Sequence, residues 1–306
     1  MSVTVRLSIL IPSYNRRASL VRLLESLVSG ERMNFEEIEI LVLDNGSTDG
    51  TASTIEQWRA GKRHLALRYL EERRKGKAHA LNLGLREAHG AVIMILDDDV
   101  VAAPDCLAKH LEAHRTTVFD ALQGKILPGR DAAGNSAEMS RLAEYNIPHI
   151  DYGHEIHPLR GLTGTNMSFK RGVFENVGFF DTRLGPGAAG FSEDTEYSMR
   201  IRKAGFKIGY TPHAVVYHEL NPNRYGRAYN RMVEYRKGLS RSIYRHDSIA
   251  FRVLPNLFAN CARYGLYRLL GKTQKAYKTE GRIAKCCGYL MGKIRGVRSH
   301  DRHSEV

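Results

Sequence analysis

Three adjacent carboxylates, Asp97, Asp98 and Asp99, close the apolar run AVIMIL at residues 91–96. Like charges so close repel, and the arrangement is tolerable at neutral pH when a hard divalent cation such as Mg2+ or Mn2+ sits among them. A cation held by only one or two carboxylates keeps open positions, which phosphate oxygens fill. The chemistry these residues offer is therefore a grip on a metal that in turn grips a diphosphate. The plainer alternative is a solvated loop with one aspartate capping the helix after Pro104. A second acidic group opens the helical pattern SEDTEYSMRIRKAG at 192–205, where Glu193, Asp194 and Glu196 fall in the first turn. A carboxylate there either takes a proton from a reacting hydroxyl or complements the helix dipole.

The elements that would position these groups alternate in type. VRLSILI (5–11), EIEILVLD (37–44), ALRYL (66–70) and AVIMIL (91–96) read as strands, whereas 16–30, the stretch through Trp58 and 76–90 read as helices. Leu20, Leu23, Leu24 and Leu27 give the first helix its apolar face, and Ser47 and Thr48 are candidate caps for the second. A βαβαβαβ series with uniformly apolar strands implies a doubly wound, mostly parallel, Rossmann-like sheet covered on both faces. In such a sheet ligands bind beyond the carboxyl ends of the strands, so Pro12, Tyr14, Asn15, Asp44 and Asp97 to Asp99 are expected to line one cleft. Further along, 104–115 reads as a helix, 121–129 and 165–170 as strands, 130–160 as loops, and LGPGAAGF (184–191) as a mobile, lid-like loop leading into the acidic helix.

In order and separation, SILIPSYNRR, VLVLDNGSTDGT, KAHALNLGL, ILDDDV, GTNMSFKR and GFSEDTEYSMRIRKAGF resemble the family 2 glycosyltransferases of the GT-A fold, over about residues 5–220. The resemblance implies an inverting, metal-dependent transfer of a sugar from a nucleoside-diphosphate donor to a hydroxyl of a glycan or lipid-linked acceptor, in surface polysaccharide synthesis. It implies that Pro12, Tyr14, Asn15 and Asp44 hold the nucleoside and that Lys77 faces the diphosphate. The family's DxD-type signature falls on Asp97 and Asp99, with Asp99 on the Mn2+ or Mg2+ and either Asp97 or Asp98 on the ribose or sugar. Gly164, Thr165 and Asn166 would offer polar contacts beneath the donor sugar, while Met167 and Phe169 alternate away. Asp194 would be the catalytic base and Glu193 would position the acceptor or Asp194 itself; Glu196 suits a pair with Arg200. On TPHAVVYHE (211–219), His218 stands where a metal or diphosphate ligand is found in many such enzymes, and His213 does not. The metal set so implied is Asp97, Asp99 and His218.

Charge divides the 306-residue chain. Residues 1–220 hold 27 Lys and Arg against 28 Asp and Glu, whereas 221–306 hold 19 against 5, so the whole excess of +13 lies in the C-terminal part. The expected organisation is a catalytic domain over 1–220, with a nucleotide-binding half to about 115 and an acceptor half from about 116, then a basic helical region over 221–306. Within it Ile283, Cys286, Cys287, Leu290, Met291 and Ile294 form an apolar stripe flanked by Lys and Arg, and Gly288, Gly292 and Gly296 recur every four residues, permitting close approach to a helix or a membrane surface. Such a region either packs on the catalytic body or attaches peripherally to an anionic inner leaflet. No nucleic-acid-binding module is visible, which ranks nucleic acid below both. Four cysteines without a ladder of spacings suit a reducing cytoplasm, and no apolar run is long enough for a signal peptide or a spanning helix. Two rivals remain at this point: a sugar-phosphate nucleotidyltransferase, which normally has a glycine-rich loop after the first strand that IPSYNRRASL lacks, and a non-catalytic binding protein on the same scaffold.

Overall fold

The computed structural model describes residues 5–29, 35–62, 65–131, 149–221, 224 and 226–301. Of the loop expected over 130–160, residues 132–148 lie outside the described residues. The chain divides into two units, one comprising 1–139, 147–182 and 193–221, the other 140–146, 183–192 and 222–306.

The first unit is built on a nine-stranded sheet. Strands β1 (Leu7–Ser13), β2 (Ile38–Asp44), β3 (Ala66–Glu71) and β4 (Val92–Leu96) lie in the order β3-β2-β1-β4 and all run parallel. Helices α1 (Arg17–Val28), α2 (Thr51–Ala60) and α3 (Lys77–Glu87) connect them in sequence. Alternation along β1 explains the double winding. Leu7, Ile9 and Ile11 join Leu20, Leu23 and Leu24 of α1 and Ile55 of α2 in one core, while Leu10 joins Leu81 and Leu85 of α3 in the core on the other face. With both faces buried, no position of β1 or β2 is free to be polar toward solvent, which is why the strands read as continuous apolar runs.

Beyond β4 the sheet changes direction. A short β5 (Val100–Ala102) and α4 (Cys106–Thr116) follow, then β6 (Ala121–Asp131), a two-residue β7 (His157–Pro158), β8 (Asn166–Lys170), α5 (Arg171–Val177), α6 (Glu193–Lys203) and β9 (Ile208–Leu220). β8 pairs antiparallel with both β4 and β6, whereas β6 and β9 are parallel to each other and β5 and β7 pair antiparallel with β9. The α/β, GT-A-type expectation therefore holds, with the first four strands forming a continuous parallel half and the antiparallel β8 joining it to the parallel pair β6 and β9.

One local expectation fails. Neither Ser47 nor Thr48 caps α2: the helix begins at Thr51 behind Gly50, whose φ of +83° suits a residue without Cβ. Asp49 instead accepts the Thr51 N–H. The Ser47 backbone and hydroxyl turn to Asp44, and Thr48 N–H donates to Asn15 Oδ1, so both residues tie together the loops that follow β1 and β2.

The second unit is helical, with α7 (Gly226–Tyr244), a π-helical turn at Ile249–Val253, α8 (Leu254–Leu269) and α9 (Thr273–Asp301). α7 and α9 cross at backbone distance. A Cβ on Gly288 would run into the Tyr235 carbonyl oxygen, and one on Gly238 into the Lys285 carbonyl oxygen. The α9 face turned inward thus carries Ala276, Thr279, Gly281 and Gly288 together with the buried ring of Tyr289, and of the expected apolar stripe Cys287, Met291 and Ile294 are exposed. Packing follows closeness of approach here rather than the apolar periodicity. The segment expected as a mobile lid belongs to this unit and is tied by Gly190 N–H to the Gly185 carbonyl (2.8 Å) and by Phe191 N–H to Ser240 Oγ (3.3 Å).

Candidate active site

Strand register assembles the site. Ser13 and Asp44 are partners at the carboxyl ends of β1 and β2, Leu96 at the end of β4 pairs with Asn166 at the start of the antiparallel β8, and Val100 of β5 pairs with His218 near the end of β9. Asp97 to Asp99 fill the gap between β4 and β5, so residues separated by more than 100 positions meet at one edge of the sheet.

Each aspartate of the cluster has its own partners. Asp97 is bound by the Lys77 ammonium and accepts from Thr165 Oγ1 at 2.8 Å. Asp98 accepts from Ser13 Oγ at 2.7 Å, and Asp99 Oδ2 accepts from Arg16 at 2.6 Å. Burial opposes ionisation of Asp97, but the Lys77 charge and the two hydrogen bonds prevail and hold its carboxyl at about 2. Asp98 goes the other way: burial and the neighbouring Asp99 charge push it up to about 7 against the pull of Arg16 and Ser13. Arg16, though burial works against its charge, is held above its ordinary value by Asp99 and Asp98.

Lys77 links this cluster to the acidic helix. Its Nζ, bonded to Asp97, is also 3.7 Å from Glu193 Oε1 in the first turn of α6. Glu193 is buried, and that burial followed by the charge of Asp194 raises its carboxyl to about 7. Asp194 is half-buried, its Oδ2 accepting the Gly164 N–H at 3.2 Å and its Oδ1 the Thr195 N–H at 2.6 Å; burial raises it too. Glu196 pairs with Arg200 at 2.7 Å, as its place four residues earlier on the helix suggests.

On the nucleoside side Pro12 is buried within β1 and Tyr14 is half exposed. Asn15 adopts φ +52° and its backbone N–H donates to Ser47 Oγ. Asp44, almost fully buried, accepts from Tyr69 OH at 2.7 Å and from Ser47.

Two expected roles need correction. Asn166 does not face the cleft: it is fully buried, its amide nitrogen donates to the carbonyls of Lys125 and Ala214 at 3.0 Å, and its Oδ1 meets His110 Nε2 at 2.9 Å. The β8 pleat decides this, since pairing with β4 turns position 166 inward while Gly164 and Thr165, the two positions before the strand, meet Asp194 and Asp97. Of the expected metal set, Asp99 and His218 face each other, whereas both oxygens of Asp97 are engaged by Lys77 and Thr165. Among the described residues no three His, Cys, Asp or Glu side chains converge on a point that a cation could occupy.

Asp99 and His218 do fit a divalent cation completed by phosphate oxygens. The His218 side chain is 2% exposed, with Nδ1 2.8 Å from the Glu219 carbonyl oxygen and Nε2 3.4 Å from Asp99 Oδ1. A carbonyl only accepts, so Nδ1 carries the hydrogen. Nε2 then presents to a carboxylate either a second proton or a bare lone pair, and a cation between the two satisfies that lone pair. His213 is exposed on the same strand. Sequence reasoning missed Arg16, the counter-charge of Asp98 and Asp99, and Ser13; they flank Tyr14 and Asn15 at the end of the first strand, which was the available signal.

Comparison with known proteins agrees with this architecture. The model of the family described as Glycosyl transferase family 2 matches residues 8–178. A Bacillus subtilis (strain 168) protein, the uncharacterized glycosyltransferase YfnE, is 40% identical over 111 residues, covering 36% of this chain and 27% of its own length. The poly-beta-1,6-N-acetyl-D-glucosamine synthase of Staphylococcus epidermidis is 25% identical over 243 residues, 76% of this chain and 54% of the synthase. The chain thus spans about half or less of these two relatives. Among solved structures, the mannosyltransferase PcManGT from Pyrobaculum calidifontis in complex with GDP-Man and Mn2+ superposes with a TM-score of 0.67 at 21% identity, over 94% of this chain and 86% of that one, which establishes a shared fold.

Proposed function

From the premise that the chain belongs to glycosyl transferase family 2 and is a transferase of that family, we propose that it moves a sugar from a nucleoside diphosphate to a hydroxyl of a glycan or lipid-linked acceptor, with inversion, in polysaccharide synthesis. The observation that carries this reading is Lys77, whose one ammonium group touches Asp97 of the β4 cluster and Glu193 of the acidic helix. It links the aspartates that would face the donor to the helix start that would face the acceptor.

The residues have distinct tasks. Tyr14 offers its exposed ring to the base and Asp44 its remaining lone pairs to base or ribose, with Pro12 and Asn15 shaping the loop. Asp98, beside Ser13, contacts the ribose or sugar. Lys77 neutralises diphosphate oxygens, and burial makes that charge count because little water screens it. Asp194 takes the proton of the acceptor hydroxyl as that oxygen attacks the anomeric carbon from the side opposite the diphosphate. Its two backbone hydrogen bonds fix its direction, and the burial that raises its carboxyl makes it a stronger base. Glu193 positions Asp194 and Lys77. Asp99 and His218 would hold Mn2+ or Mg2+, which would supply positive charge for a departing diphosphate; PcManGT, solved with GDP-Man and Mn2+, supports this choice of donor class and metal. We take the transfer to occur in the cytoplasm, at or near the inner face of the membrane, a reading supported by four cysteines that form no disulfide.

Asp194→Asn tests the assignment. The variant should show a thermal transition raised by a nucleoside-diphosphate sugar with Mn2+ as far as the wild type's, while transfer falls by about 10²- to 10⁴-fold. Transfer retained by this variant removes Asp194 from the mechanism, and a wild-type transition indifferent to every nucleoside diphosphate defeats the donor reading.

A further inference from the structure

The π-helical turn and α8 carry the most exposed apolar side chains of the described residues. Phe251 is 90% exposed, Phe258 69%, Leu266 52% and Leu269 87%. Their spacing with Pro255 and Ala262 puts them on one side of the helix, opposite buried Asn260 and half-buried Leu257, Tyr264 and Tyr267. Both sides of α8 are therefore apolar in part, and only one is covered.

Charge identifies what suits the other side. Residues 248–279 contain six Lys and Arg and no Asp or Glu. Arg263 falls along one margin of the exposed stripe, with Arg252, itself paired with Asp247 at 3.0 Å, on the preceding turn, and Arg268 falls along the other, with Lys272 just past the helix end. An apolar stripe between two cationic margins matches the interface of an anionic bilayer, where acyl chains take the stripe and phosphates meet the margins. No described helix is long and apolar enough to cross a membrane, so the contact is one of lying on the surface.

We propose that α8 and the turn before it form a membrane-docking face for anionic lipid, with Phe251, Phe258, Leu266 and Leu269 immersed at the headgroup boundary. The face is not the α9 stripe suggested by sequence periodicity, since α9 turns its small residues to α7 and its stripe is only partly exposed. The inference does not depend on the carboxylate site, and vesicle binding reads it without any donor.

The test is sedimentation of the full chain with vesicles of phosphatidylcholine alone or mixed with phosphatidylglycerol. The wild type should pellet with the mixed vesicles only and be released by salt. Phe258→Ser with Leu269→Ser should lower the partition coefficient at least about tenfold, and Arg263→Glu with Arg268→Glu should do the same. All four side chains are exposed, so an unchanged circular-dichroism melt is expected of both variants. Wild type remaining in the supernatant at low salt overturns the proposal, as does serine-variant binding equal to wild type. A wild-type dimer in sedimentation velocity that the serine pair abolishes also overturns it, by assigning the face to a second copy of the chain.

Discussion

Arg16 stands where charge is most concentrated, 2.6 Å from Asp99 Oδ2 and 3.8 Å from Asp98 Oδ1. A guanidinium there compensates carboxylates that a divalent cation would otherwise compensate, so the two compete for Asp99. Arg16→Gln should therefore bind Mn2+ more tightly in the absence of nucleotide, by about tenfold for one nearby charge removed at a partly buried site. The electron paramagnetic resonance signal of free Mn2+ measures this directly, and an unchanged affinity would show that Arg16 does not share the cation's place. Asn166 shows the opposite relation of residue to site. A polar side chain one step past the cleft is used to join β8 to β6 and β9, and the adjacent Gly124 leaves the space it fills.

α4 and β8 hold that region from behind. His110 and His114 of α4 both hydrogen-bond Ser168 at 2.8 Å, and His110 also meets Asn166. Burial lowers His110 to about 4, and burial followed by the neighbouring His110 lowers His114 to about 3, from an ordinary 6.5. Between these values and 6.5 the unfolded chain binds protons that the folded chain refuses, so stability falls as pH falls. Each histidine contributes a slope of about 1.4 kcal/mol per pH unit below about pH 6.5. Stability against urea should therefore fall from about pH 6.5 to about pH 5, and His114→Leu should remove about half of the difference attributable to the pair. A slope equal in variant and wild type would mean that His114 already carries a proton in the folded protein.

At the scale of the molecule, chemistry and basic charge are separated. Every residue of the candidate site lies in the sheet unit, while the cationic excess belongs mostly to the helical unit. Integrity of the helical unit depends on the glycine crossing of α7 and α9. Gly288→Ala forces a methyl against the Tyr235 carbonyl and should destabilise that unit by about 1–3 kcal/mol, the usual cost of overpacking. Hydrogen exchange of α7 and α9 should accelerate while that of β1 to β4 stays as in wild type. Protection unchanged in α7 and α9 would mean that the crossing can widen without loss.

The sequence alone determined the α/β alternation, the first four strands and their helices, the family resemblance and the segregation of charge. Those features depend on local periodicity and on order along the chain, which a single sequence carries in full. Only the tertiary structure decided that Asn166 points inward, that Asp97 answers to Lys77 while Asp99 answers to His218 and Arg16, and that α9 packs by its glycines and leaves α8 facing outward. These depend on strand register and on which helix comes near which. A shift of one residue in pairing exchanges the two faces of a strand, and hydropathy does not encode how closely two backbones approach.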